Sequence, residues 1–407
     1  MKLLTLPALL SLPLLPTAFS YPGMATAFSS LHHHTSRADD DPKELIGDLL
    51  TLADSKLTPI GKDIKAILLG TLTAESSTID TSIPSALGSS ACAANTCCVW
   101  KWIAYDMTAK FNGTSGRCTR FARGAVRLGF HDAGAWSKTS SYGGADGSIL
   151  LTDELSRTEN NGLADVGAWM KTLYNKYHQY GVGMADLIQM GATVAAVVCP
   201  LGPRIRSFVG RVDNAKAAPT GLLPDVNDSA DTLIALFKAK TVDSHGLAAL
   251  VGAHTTSQQH FVDTERDGDP QDSTPGVWDV KFYGETLNSV PPRVFKFASD
   301  EKLSVDSRTA DEWNEFVGDQ AHWNEDYAQE YVRLSLLGVN NINNLQECTK
   351  VLPPRVNSFV AQDQAVLDLW LQGQFDQLNS LVDDAVLLTG FSSTTTTGKD
   401  RREPFEE

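Results

Sequence analysis

Apolar residues recur at helical spacing through the middle of the chain, and that period constrains the fold more than any other feature. Trp100, Ile103 and Met107 share one face, and Ala122, Val126, Gly129 and Phe130 share another. Val166, Met170, Leu173 and Tyr177 form a third stripe, and Leu187, Met190, Val194 and Val197 a fourth. Leu247, Leu250 and Val251 form a fifth, with Asp243 or Ser244 placed to cap its N-terminus. Long alternating runs are scarce, and no repeat of solenoid length is visible. The body is therefore predicted to be mainly α, with strand confined to short hairpins.

The flanks differ from the body. Met1-Lys2, the apolar run Leu3 to Leu15 and the small residues at Ala18-Phe19-Ser20 read as a signal peptide over residues 1–20, cleaved near Tyr21. No segment reaches the roughly 20 apolar residues that a membrane span needs. Residues 21–90 contain His32-His33-His34, Asp39-Asp40-Asp41, an amphipathic stretch from Leu45 to Leu72 and a Ser/Thr-rich run to Ser90. They read as a propeptide or a loosely attached N-terminal arm, with the His run either incidental or metal-binding. The body spans 91–354. Residues 355–391 form a C-terminal extension with one more helical segment (Val366, Leu367, Trp370, Leu371), and 392–407 read as a disordered tail.

With 34 Lys+Arg against 49 Asp+Glu, the net charge of -15 argues against nucleic acid and anionic membranes as partners. The six cysteines are an even number. Export places them in an oxidising space, where bridges are favoured, but spacing alone does not choose among the possible pairings.

Two histidines carry the chemistry. Arg127 and His131 are four apart, so a helix puts them on one face, a proton acceptor beside a cation. Such pairs are also common on solvated faces. Asp132 and the run Gly143-Gly144-Ala145-Asp146-Gly147-Ser148 offer hard oxygen ligands of the kind Ca²⁺ takes, against the simpler reading of a flexible turn. His254 and Thr255 close an apolar helix, where a histidine is often a satisfied core residue. Asp272-Ser-Thr274-Pro-Gly-Val277-Trp-Asp279 again gathers carboxylates and a hydroxyl, in a second cation loop or a plain turn.

Together these motifs, in this order from about Cys92 to Pro354, resemble the secreted fungal haem peroxidases, class II of the plant/fungal/bacterial peroxidase superfamily. The resemblance implies the haem-dependent peroxidase fold, with two helical layers enclosing a haem b. It implies His254 as the axial haem ligand, with Asp300 hydrogen-bonded to the ring nitrogen not on iron. On the other face it implies His131 as general acid/base, Arg127 as transition-state stabiliser and Phe130 as pocket wall. Asn160 would orient His131, and Glu154 would fix Asn160. One calcium ion would take Asp132, Gly144, Asp146 and Ser148. A second would take Thr255, Asp272, Thr274, Val277 through its carbonyl, and Asp279. The family pattern suggests the pairs Cys92–Cys98, Cys97–Cys348 and Cys118–Cys199, while a fourth bridge common in the group has no cysteines here. The implied activity is reduction of hydrogen peroxide with one-electron oxidation of small phenolic or dye-like donors by a secreted monomer.

Some positions depart from the family. The three acidic residues of manganese-oxidising members are matched by Arg120, Gly124 and His260, so that site is expected to be absent. The surface Trp of lignin-oxidising members is matched by Ala249, although Trp136 and Trp169 remain as other radical sites or as core. Gln271 stands where the family usually has a Phe near the axial His. Asn112-Gly-Thr114 and Asn227-Asp-Ser229 are glycosylation sequons. Two rival functions are a haem-binding module with little turnover, favoured slightly by Gln271, and an acidic secreted glycoside hydrolase, for which no paired-carboxylate signature stands out.

Overall fold

The computed structural model describes residues 43–391; the expected signal peptide, the His32–His34 run and the tail from 392 lie outside the described residues. The described chain is mainly α. Helices follow in the order α1 (Pro59–Leu68), α2 (Cys97–Phe111), α3 (Arg120–Gly134), α4 (Ala164–Tyr177), α5 (Met184–Val198) and α6 (Ala230–Lys238). They continue with α7 (Ser244–Val251), α8 (Lys281–Leu287), α9 (Ala298–Val305), α10 (Ala310–Phe316), α11 (Gln320–Leu334) and α12 (Gln364–Leu371). Several starts are set by side-chain caps. Thr58, Ser229, Asp243 and Asp319 accept from the backbone N–H of Gly61, Thr232, Gly246 and His322. The described strands are one short antiparallel pair, Phe208–Val209 against Gln346–Glu347.

All residues of α5 are buried, as its nearly continuous apolar sequence requires. Helices α2, α3 and α4 pack on it. A second group gathers α7 with α6, α10 and α11, and α8 with α9 and α10, and α11 also reaches α3. Trp278 stacks on Trp323 at 5.2 Å, and Tyr327 on Tyr331 at 5.8 Å, giving the second group an aromatic core. Disulfides join Cys92–Cys98, Cys97–Cys348 and Cys118–Cys199, the pairs that the resemblance implies.

The boundary expected at residue 90 is corrected by the packing. Residues 43–90 are not a loose arm within the described chain. Ile64, Ile67 and Leu68 are fully buried in the main core. Arg333 donates to the carbonyls of Glu44 and Leu68, and Thr58 donates its N–H to Asn343 Oδ1 and its hydroxyl to the Asn343 carbonyl. The Ser/Thr-rich run is also tied down, by Lys101 donating to Asp80 and by Arg204 donating to Thr78. An amphipathic stripe must bury its apolar face, and the partner of this one lies nearly 300 residues later in the chain, where local reading does not find it.

The C-terminal extension contains the expected helix, with Leu367, Trp370 and Leu371 buried. It forms its own small cluster with Val294, Leu378, Val382 and Leu388. A buried ion pair, Arg117 to Asp363 at 2.6 Å with both side chains 1% exposed, ties it to the body. If 43–90 belongs to the core, Ile67→Ala should cost about 2–5 kcal/mol in denaturant unfolding. An unchanged midpoint would restore the loose-arm reading.

Candidate active site

Helix α3 presents Arg127 and His131 on one face because its opposite face is made of small or apolar residues seated on α5. Ala122, Ala125 and Leu128 are fully buried. At Gly129 the approach is closest: a Cβ there would lie 2.4 Å from the Tyr331 hydroxyl and 2.7 Å from the Ala192 methyl. The Gly129 carbonyl accepts from Gln189 Nε2 at 3.1 Å, and Gln189 Oε1 accepts from the Tyr331 hydroxyl at 2.9 Å.

The state of His131 follows from its partners. Arg127 Nε, which can only donate, lies 3.2 Å from His131 Nε2, so Nε2 is the acceptor nitrogen. Nδ1 then carries the proton and donates to Asn160 Oδ1 at 2.8 Å. Burial first, and the Arg127 charge second, push the imidazole pKa down to about 3 against the opposing pull of Asn160. His131 is therefore a neutral base at neutral pH, with its lone pair beside a guanidinium. Arg127 itself is anchored by donation to the carbonyls of Asn161 and Glu159. Phe130 stacks on Phe237 at 6.0 Å and sits edge-on to His131.

Glu154 holds Asn160, but through its backbone: Asn160 Nδ2 donates to the Glu154 carbonyl at 2.8 Å. The Glu154 carboxylate accepts instead from the Ala218 N–H and from Arg157. Side-chain identity at 154 thus fixes the loop, and the loop carbonyl fixes Asn160.

The second histidine, His254, lies in the tight turn that ends α7. Tyr283 and Trp323 donate to the carbonyls of Ala248 and Ala249, groups of the last helical turn that have no partner within the helix. His254 Nδ1 lies 2.9 Å from Asp300 Oδ2, which leaves Nε2 as the nitrogen able to ligate a metal. Asp300 is buried in the first turn of α9, where the helix dipole favours its negative charge. Phe297 and Phe282 pack edge-on against the imidazole at 5.3 and 5.8 Å. They give His254 aromatic contacts from other elements, while Gln271 is itself buried and accepts from the Ser257 hydroxyl.

Beside each histidine is a buried oxygen cluster. Asp132 and Asp146 are buried, and Asp132 is pushed well above the usual carboxylate range by burial and then by the charge of Asp146. Ser148 Oγ is buried there without a well-formed hydrogen bond. Gly144, at φ 103°, passes so close to the Leu337 carbonyl that no Cβ fits. Asp272 is fully buried and raised by burial and by Asp279, and Thr255 and Thr274 both donate to it. The Val277 carbonyl accepts from Thr255 at 3.4 Å. Paired carboxylates away from water stay ionised only with a compensating cation, so both oxygen sets suit a hard divalent ion.

Arg120 is paired with Asp165 and Asp384, and His260 with Asp267 and Asp383, so the C-terminal extension supplies acids that the sequence reading missed, already engaged by these side chains. Ala249 is fully buried, while Trp136 and Trp169 are half-buried against the core. Asn112 and Asn227 are exposed.

Helical architecture, a neutral imidazole beside a guanidinium, and a second imidazole anchored by a carboxylate together suit a metal-dependent oxidoreductase. The family model for peroxidase matches residues 103–319. Ligninase LG5 of Phanerodontia chrysosporium is 32% identical over 285 residues, covering 64% of this chain and 75% of that protein. Ligninase C of Trametes versicolor is 32% identical over 265 residues, covering 58% and 70%. The chain belongs to the peroxidase family and is a hydrogen-peroxide-dependent oxidoreductase. That membership implies haem.

The α3–α5 seat has a direct test. Gly129→Ala should cost about 1–3 kcal/mol by overpacking, measured as a shift of the unfolding midpoint. Wild-type stability would show that α3 is not held at that distance.

Proposed function

We propose that the protein is a secreted, monomeric haem peroxidase, braced by two calcium ions, that reduces hydrogen peroxide and oxidises small phenolic or dye-like donors. The observation that carries this reading is the state of His131: Nε2 accepts from Arg127, and Nδ1–H is committed to Asn160. When bound, haem b supplies the redox chemistry, taking two oxidising equivalents from peroxide and passing them singly to two donors.

The residues do the rest. His131 Nε2 takes a proton from one peroxide oxygen and returns it to the other, which leaves as water. Arg127 stabilises the negative charge that develops as the O–O bond breaks. Asn160 holds His131 in the tautomer that keeps Nε2 unprotonated between cycles, and Phe130 walls the site. His254 Nε2 would hold the haem iron, and Asp300 fixes the ring for that role by accepting from Nδ1–H. Asp132, Gly144, Asp146 and Ser148 would hold one calcium ion. Thr255, Asp272, Thr274, Val277 and Asp279 would hold the other. Each set adjoins a histidine in sequence, so each ion steadies one.

The relatives are named ligninases, which supports aromatic donors as the class. Committed acids around Arg120 and His260 disfavour Mn²⁺, and the buried Ala249 disfavours long-range transfer from that position. Three disulfides fit an oxidising compartment, and no described helix is long and apolar enough to cross a membrane.

His131→Ala should keep the Soret band and slow reaction with peroxide by roughly 10²–10⁴-fold. Near-normal peroxide reactivity would refute the role, and a Soret band with no spectral response to peroxide in wild type would favour an inert haem module. Removing calcium with a chelator should lower the thermal midpoint, with recovery on adding Ca²⁺. A midpoint indifferent to both would refute the calcium assignment.

A further inference from the structure

At the far end of α7, His245 lies between Glu312 and Asp326, and His322 lies beside Asp326, so carboxylates face imidazoles in a cluster of ion pairs across α7, α10 and α11. The oxygen set beside His254 gathers a third carboxylate instead, Glu285 of α8. Glu285 grips the middle of the loop. Its Oε2 accepts from the Ser273 N–H at 2.7 Å, and its Oε1 from the Ser273 hydroxyl at 2.5 Å. Ser273 is the link between Asp272 and Thr274, two of the residues assigned to calcium, so both are held from the backbone between them. Both oxygens of Glu285 are spent on Ser273, and the residue is not itself a ligand.

Glu285 also adds charge. Burial first, then the charges of Asp279 and Glu285, raise the Asp272 carboxyl, and burial together with Glu285 raises Asp279 against Lys281 and its own hydrogen bonds. Calcium affinity depends on the negative charge of a site and on its rigidity, and Glu285 contributes to both. The same helix reaches His254. Asp279 Oδ1 accepts from the Lys281 N–H at 2.9 Å, where α8 begins. Phe282 lies edge-on to the His254 imidazole at 5.8 Å, and Tyr283 donates to the Ala248 carbonyl at 2.9 Å in the last turn of α7. Helix α8 is therefore tied to the oxygen loop at Asp279 and Glu285, and to the His254 turn at the two residues in between.

We propose that Glu285 is a positioning residue for the calcium site beside His254: by holding Ser273 it keeps Asp272 and Thr274 in place for the ion, and through α8 it couples occupancy of that site to the seat of His254. The inference rests on the calcium reading given above and adds a residue outside its ligand set. The distal oxygen set at Asp132 and Asp146 lies on other elements, so the effect of Glu285 is confined to one of the two ions.

The test uses the full haem-loaded protein, stripped of calcium by a chelator and titrated with Ca²⁺ in a calorimeter. Wild type should bind two ions. Glu285→Gln removes the charge and keeps the shape; it should leave one affinity unchanged and weaken the other about 10–100-fold. In an Asp146→Asn background, where the other oxygen set is disabled, Glu285→Gln should weaken the remaining site by the same factor. The change in the ferric haem spectrum that accompanies calcium loss should move to higher Ca²⁺ in step. Cooperative unfolding without calcium shows that the variant is folded; should it misfold, Ser273→Ala replaces it and tests the same hydrogen bonds. Two unchanged affinities, equal weakening of both, or a haem spectrum indifferent to this site would each overturn the inference and leave the calcium reading standing. Wild type that binds no calcium would overturn that reading and the inference with it.

Discussion

Helix α5 is enclosed on every side, and the distal half of the molecule is arranged around that fact. A helix with no solvent face must satisfy each polar group internally. Asp186 does so against Arg211 at 3.0 Å and against the backbone N–H groups of Gly210 and Arg211. Gln189 does so by bridging the Gly129 carbonyl and the Tyr331 hydroxyl, which links α5 to α3 and α11 at once. The height and rotation of α3 are therefore set from behind. Arg127 and His131 point where they do because Gly129 allows contact and Gln189 fixes the register.

Buried charge supplies the second layer of constraint. The acidic balance of the chain is partly spent in specific places: Asp363 on Arg117, Asp383 on Arg123, and Asp186 on Arg211. Breaking such a pair by removing one partner leaves an uncompensated charge, which costs about 3–5 kcal/mol. Among the described residues Asp132, Asp146, Asp272 and Asp279 form no salt bridge, and only Asp279 has a cation near it, Lys281, so an ion is the natural complement. The same reasoning separates His254, whose carboxylate partner is single and dedicated, from His245, which is shared between two.

Local reading succeeded where the physics is local. Helical stripes were legible because a 3.6-residue period records which face is buried. Arg127 with His131 was legible because an i, i+4 pair needs only one helix. The bridge pairs were legible through family resemblance and not through spacing. What failed depended on distant partners. Residues 43–90 looked detached because the surfaces that bury Ile64 and Ile67, and the Asn343 and Arg333 that bond them, come from far along the chain. Gln271 looked like a loss of aromatic packing because Phe297 and Phe282 reach His254 from other elements. The cluster at His245 left two traces in sequence, Glu312 with Glu315 three apart and His322 with Asp326 four apart.

The sequence by itself determined the helical class, the two histidine motifs, the oxygen-rich loops beside them and the family they belong to. Those are properties of short segments, where covalent spacing dictates which side chains share a face. Tertiary structure alone decided that the N-terminal segment from residue 43 is core, and that a backbone carbonyl at Glu154, not its carboxylate, holds Asn160. It also decided that three helices bring His245, Glu312, His322 and Asp326 together. Each of these depends on groups distant in the chain meeting at a few ångströms, and no local period or motif encodes that distance.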